Sequence, residues 1–258
     1  MVLVISGGSS GIGKATARLF ATKGWTVYEL SRSGKSTEGI NHIDCDVTNY
    51  QSTAKAVETV AKQEGKINLV VCNAGFGISG AVEFTSTDDV RRQMDVNFIG
   101  TFNLTKAVLP YLRSQREGCI IMISSVAAVL PIPYQAFYSA SKAAINALAL
   151  ALRNEVAPFN IYVSAIMPGD VKTGFTASRQ KTLEGADVYA NLQKSVATME
   201  HDEQNGMTTD FIASIVWKVA NKRCPAPLYT TGFLYKVFVL LEKLLPKRLS
   251  NYIVGKLY

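Results

Sequence analysis

Cysteine is scarce in this 258-residue chain, and its four copies, Cys45, Cys72, Cys119 and Cys224, lie far apart with no CxxC pair. That spacing argues against a disulfide scaffold and against a zinc site, so no metal is expected, and it fits a reducing, cytoplasmic compartment. Internal repeats, low-complexity tracts and Pro/Gly-rich linkers are also lacking. One domain over 1–258, with 233–258 as a C-terminal extension, is therefore expected. The apolar run of the tail, Val237 to Leu241, is flanked by Lys236, Glu242 and Lys243 and is too short and too charged to span a bilayer. The chain opens on a strand-like run, Val2 to Ile5, without a charged leader or a small-residue cleavage site, and no export signal is expected.

Acidic residues are nearly absent from one region only. From Lys218 onward there are eight basic residues and a single acid, Glu242, so the formal charge of +7 belongs entirely to the last segment. No nucleic-acid motif accompanies this basic tail, and no nucleic-acid partner is expected.

What is present is an alternation of short apolar runs with helix-length segments. The runs are Val2 to Ile5, Trp25 to Leu30, Ile67 to Cys72, Cys119 to Ile123 and Ile161 to Ile166. Nearly continuous apolarity marks strands covered on both faces. Helices are expected at Gly13 to Lys23, Tyr50 to Glu64, Asp89 to Leu112 and Tyr138 to Val156. A βαβα order at this spacing predicts an α/β fold, a doubly wound, Rossmann-like parallel sheet with helices on both faces. The more polar stretch from Gly174 to Thr208 follows a strand end, where a mobile substrate lid would sit.

Three segments carry chemistry. The first strand runs into Ser6-Gly7-Gly8-Ser9-Ser10-Gly11-Ile12-Gly13, whose glycines permit a tight turn and let backbone N–H groups and a helix N-terminus approach a pyrophosphate. The second strand ends at Ser31-Arg32, where an NAD enzyme would place an acid; an arginine suits a 2′-phosphate and favours NADP(H) over NAD(H). Tyr138 and Lys142 lie one helical turn apart on one face, where an ammonium favours an ionised phenol and makes an acid/base that works near neutrality. Tyr252 and Lys256 repeat that spacing, so context decides between them. Only Tyr138 is preceded, thirteen residues earlier, by a serine, Ser125, just past an apolar strand.

Together these residues resemble the short-chain dehydrogenase/reductase family. The likeness covers Val2 to about Gly232: the glycine turn at Gly7, Gly11 and Gly13, Asp46-Val47, Asn73-Ala74-Gly75, Asn97, Ser125, Tyr138, Lys142, Pro168-Gly169 with Thr173, and a last-strand pattern at Leu228 to Gly232. Ser6 stands where Thr is usual and Gly8 where Ala is common. The resemblance implies catalytic roles for Asn97, Ser125, Tyr138 and Lys142. Tyr138 would exchange a proton with the carbonyl or alcohol oxygen that Ser125 holds, while Lys142 binds the nicotinamide ribose and lowers the tyrosine pKa. Asn97 would hold a water linking Lys142 to solvent. Asp46 and Val47 would meet the adenine, and Pro168, Gly169, Val171 and Thr173 the nicotinamide. It also implies a homo-oligomer, a dimer or tetramer, built on the helices at Asp89 to Leu112 and Tyr138 to Val156. A non-catalytic nucleotide sensor is the rival reading of another class, and the filled catalytic positions argue against it.

The tail beyond Gly232 is absent from many compact members of that family. Phe233, Val237, Leu240, Leu241, Leu244 and Leu245 follow helical spacing, with Lys236, Lys243, Lys247 and Arg248 supplying charge. Two readings stand: a helix packing over the substrate mouth or a second subunit, which is favoured, and a peripheral membrane contact attracted by anionic lipids. The tail resembles that of reductases of bulky apolar carbonyls, and Val129, Leu130, Ile132 and Phe137 near the catalytic pair offer apolar walls. A hydrophobic small-molecule substrate is expected, a hydroxysteroid first, with an acyl-lipid carbonyl or retinoid as the alternative.

Overall fold

The first strand, Val-Leu-Val-Ile-Ser, is buried along its whole length, as a strand needs to be when helices cover both faces of its sheet. The structure, a computed structural model, describes residues 1–258. In chain order the strands are β1 (Val2–Ser6), β2 (Thr26–Ser31), β3 (Ile40–Asp44), β4 (Leu69–Cys72), β5 (Ile78–Ser79), β6 (Gly118–Ile123), β7 (Ile161–Met167), β8 (Val171–Lys172), β9 (Gln180–Lys181), β10 (Met207–Thr208) and β11 (Leu228–Thr230). The helices are α1 (Gly11–Thr22), α2 (Tyr50–Glu64), α3 (Thr87–Met94), α4 (Gly100–Gln115), α5 (Ala136–Val156), α6 (Phe175–Ser178), α7 (Leu192–Gln204), α8 (Thr209–Ala220), α9 (Phe233–Leu244) and α10 (Lys247–Leu257).

Seven strands form one parallel sheet in the order β11-β7-β6-β4-β1-β2-β3. Alternate residues of each strand feed opposite cores. Val2, Val4, Val70, Cys72, Ile120 and Met122 meet α2, α4 and α5. Leu3, Ile5, Leu69, Val71, Ile121 and Ile123 meet Ala17 and Phe20 of α1 and Val216 and Val219 of α8. The strand order reverses between β1 and β4, which opens a crevice at their carboxyl ends, where ligands of such sheets bind.

Several boundaries differ from expectation. The helix anticipated at Asp89 to Leu112 starts at Thr87, because Ser86 caps it by accepting from the Asp89 amide, and it reads through a π turn, Asp95–Ile99, into α4, which ends at Gln115. The segment expected as a lid is tied down by the pairs β5–β9 and β8–β10 and carries α7, which buries Leu192, Val196 and Met199. The tail is two helices separated at Leu245-Pro246 rather than one. No helix is long and apolar enough to cross a membrane.

Candidate active site

The glycine turn follows from contacts that leave no room for a side chain. Gly7 and Gly11 have positive φ (66° and 51°), and a Cβ on Gly13 would lie 2.1 Å from the Gly7 carbonyl oxygen. Ser6 Oγ accepts from the amides of Asn73 and Ala74 at 3.0 and 3.1 Å, and Asn73 Nδ2 donates to the carbonyls of Ser6 and Gly7. The ends of β1 and β4 are thereby locked together. Helix α1 begins at Gly11 without a side-chain cap from Ser10, so its first N–H groups, which lack intrahelical partners, face the crevice. A bare, tight, electropositive cradle of this kind fits a dinucleotide pyrophosphate.

Ser31 and Arg32 lie at the carboxyl end of β2, and Arg32 is exposed. Beneath them is a feature that the sequence reading passed over. Glu29, buried in β2, accepts from Ser31 Oγ at 3.2 Å and pairs with His42 Nδ1 at 2.5 Å across the β2–β3 ladder. Asp46 Oδ1 accepts from the Thr48 amide and hydroxyl, and the Val47 carbonyl accepts from Asn103 Nδ2, which fixes the loop after β3.

A cavity of about 570 Å³ runs from the glycine turn to the tail. Gly7, Ser10, Gly11, Ile12, Asn73, Ala74, Gly75, Ser125, Tyr138, Lys142, Pro168, Gly169, Val171 and Thr173 all line it. Ser9 and Gly13 belong to the turn without lining the cavity, while Ser31, Arg32, Asp46 and Val47 stand at the β2 and β3 ends outside it. Thr173 folds back over the turn, its Cβ 3.6 Å from where a Cβ on Gly11 would be.

Tyr138 sits in the first turn of α5 with its ring edge-on to Phe175, 5.6 Å between centroids. Lys142, one turn on, donates to the Ile123 carbonyl at 2.8 Å. Asn97 is fully buried in the π turn. Its Oδ1 accepts from the Phe76 amide, and its Nδ2 donates to the Phe76 carbonyl and to Ser141 Oγ, each at 3.0 Å. The Asn97 side chain thus holds the loop after β4 against α5.

Burial pushes the Tyr138 phenol up to about 12, against a downward pull from the Ser125 hydroxyl beside it; Glu203 and Asp170 add to the rise and Arg179 opposes it. Burial alone takes Lys142 down to about 8. Both shifts have the same first cause, the loss of water around each group.

The walls differ in part from those anticipated. Leu130 and Ile132 line the cavity, but Phe137 does not, and Val129 packs instead with Val126, Met167 and Val239. The tail supplies the far wall through Tyr235, Phe238, Leu245, Ile253, Val254 and Tyr258. The stripe expected to pack inward is divided: Leu241 and Leu245 line the cavity, while Phe233 is 85% exposed and Leu240 and Leu244 are exposed too. Of the two readings of the tail, the structure has it roofing the cavity, with Tyr235 laid against Gly169 so closely that a Cβ there would fall 2.3 Å from the ring.

The sequence profile of the short chain dehydrogenase family matches residues 1–184. A 3-ketodihydrosphingosine reductase of Bacteroides thetaiotaomicron is 37% identical over 262 residues, covering 100% of this chain and 97% of that protein. An NADPH-dependent 3-dehydrocapnine reductase of Ornithobacterium rhinotracheale is 29% identical over 273 residues, 98% and 95% of the two chains. Among solved structures, a short-chain dehydrogenase from Streptomyces avermitilis superposes with a TM-score of 0.86 at 26% identity, over 99% of this chain and 96% of that one.

Proposed function

The chain belongs to the short-chain dehydrogenase/reductase family of NAD(P)(H)-dependent oxidoreductases, and on that premise we propose that it reduces the ketone of a long-chain lipid with NADPH. The observation that carries the reading is the continuity of the cavity, which joins the Tyr138 phenol to apolar walls from α9 and α10. A hydrocarbon chain would lie under that roof, and burying it contributes about 0.8 kcal/mol per methylene. Similarity over the full length to relatives named for 3-ketodihydrosphingosine and 3-dehydrocapnine supports an open-chain lipid over the hydroxysteroid and the retinoid.

NADPH, when bound, supplies the hydride that reaches the carbonyl carbon. The glycine turn and the α1 N-terminus would hold its pyrophosphate, Ser31 and Arg32 its 2′-phosphate, Asp46 and Val47 its adenine, and Pro168, Gly169, Val171 and Thr173 its nicotinamide end. Ser125 Oγ donates to the substrate oxygen and Tyr138 delivers the proton. Lys142 steadies the tyrosinate that results, and Asn97 acts through the loop after β4. A phenol that holds its proton, which the burial of Tyr138 favours, is in the form reduction requires.

Assembly and location extend the proposal. Ala140, Ala143, Ala147, Leu150 and Ala151 form an exposed stripe on α5, beside exposed Phe102 on α4, which supports close helix approach in a homodimer or tetramer. The outer face of the tail carries Phe233, Leu240, Leu244 and Leu249 among Lys236, Lys243, Arg248 and Lys256, a composition that suits peripheral contact with an anionic membrane from the cytoplasm.

The test is NADPH oxidation across 3-ketones of increasing chain length. The reading expects kcat/KM to climb roughly fourfold per buried methylene until the cavity is filled; a preference for small polar ketones would overturn it.

A further inference from the structure

Three carboxylates line the cavity, Asp170, Glu203 and Glu242. Two are matched by cations. Glu203 is paired with the buried Arg179 guanidinium and accepts from Thr176 Oγ1 at 2.6 Å, and Glu242 is paired with Lys247. Asp170 makes no ion pair. Its one side-chain partner is a neutral donor, the Tyr235 hydroxyl, 2.5 Å from Oδ2. Lys142 is the only lysine or arginine among the lining residues, and its ammonium is turned to the Ile123 carbonyl.

The position of Asp170 is fixed by the backbone. It follows Pro168-Gly169 at the carboxyl end of β7, on the same rim as Ser125 and Tyr138, and its carbonyl accepts from the Met207 amide at 2.9 Å beside the β8–β10 pair. Aromatic rings flank it, since Phe175, Tyr235, Phe238 and Tyr258 line the same space. A half-buried carboxylate that touches no cation is costly to keep charged, and burial accordingly raises the Asp170 pKa; a carboxylate among aromatic faces is suited to an ammonium.

We propose, resting on the lipid-ketone reading, that Asp170 is a specificity residue that takes a cationic amine next to the carbonyl, so that the substrate is a long-chain α-amino ketone. The amine neither gives nor takes a proton; it stays an ammonium and pairs with the carboxylate. Its charge has a second effect. Asp170 and Glu203 both hold the Tyr138 proton in place, so an ammonium at Asp170 offsets their field and makes that proton easier to release to the substrate oxygen.

The experiment compares two ketones of equal chain length, a 2-amino-3-ketone and the same 3-ketone without the amine, on the wild type and on Asp170→Asn, which keeps an oxygen for Tyr235. Wild type is expected to favour the amino ketone by about 10- to 100-fold in kcat/KM, and Asp170→Asn to lose that preference, its kcat/KM values for the two ketones drawing level. Equal reduction of the two ketones by wild type, or an equal loss on both in the variant, overturns the assignment. The wild-type ratio decides the question if the variant does not fold. Failure of wild type to reduce either ketone would instead sink the lipid-ketone reading on which the assignment rests.

Discussion

Lys142 Nζ donates to the Ile123 carbonyl at 2.8 Å and stands 5.6 Å from the centroid of the Tyr138 ring. Both groups are desolvated, and burial moves them in opposite directions because it penalises the charged form of each: the phenol rises to about 12 and the ammonium falls to about 8.

A pH dependence follows. If the ammonium steadies the nascent tyrosinate, kcat/KM for reduction is level below pH 8 and falls about tenfold per unit above it. Lys142→Arg, which keeps its charge, is expected to move the fall to higher pH. Stability shows the same lysine differently. Between its folded value near 8 and its ordinary 10.5, only the unfolded chain holds the proton, so this residue makes the fold more stable as pH rises through that window. Rate profiles and melting curves at matched pH check both.

Gly169→Ala is expected to push Tyr235 off the rim, since the added methyl would overlap the ring. A loss of about 1–3 kcal/mol of stability is predicted from the overpacking. The gain in kcat/KM with substrate chain length should flatten, because α9 is displaced from the cavity. Thermal unfolding together with the chain-length series measures this.

Arg32 is the exposed cation at the end of β2. Arg32→Ala is expected to lower kcat/KM with NADPH by about 10- to 100-fold, the worth of a charge-assisted phosphate contact, and to leave activity with NADH nearly unchanged. Initial rates with the two dinucleotides test this. An unaltered NADPH to NADH ratio would place the 2′-phosphate elsewhere.

The sheet was legible where strands are buried on both faces. β1, β4, β6 and β7 read as apolar runs because no polar face interrupts them. β3, Ile-Asn-His-Ile-Asp, passed unnoticed because an edge strand is half wet and its composition polar. The π turn around Asn97 carries no periodic signature, so the helix appeared unbroken. The tail showed its helical spacing, and Leu241 and Leu245 of that stripe do face the cavity, yet Tyr235, Phe238 and Val239 complete the inward face, because α9 docks by seating the Tyr235 ring on Gly169, a tertiary contact that periodicity does not encode. Asp170 and Glu203 were invisible for the same reason, being brought to one cavity from β7's end and from α7. The motif-bearing residues were legible because each sits at a strand's carboxyl end or one helical turn from another.

The most direct measurement sets Tyr138→Phe beside wild type, with NADPH and a long-chain 3-ketone, after dinucleotide binding by the variant has been confirmed. The account predicts that the variant binds NADPH normally and loses about 100- to 10,000-fold in kcat, the worth of a positioned proton donor. Reduction by Tyr138→Phe at the wild-type rate would contradict it.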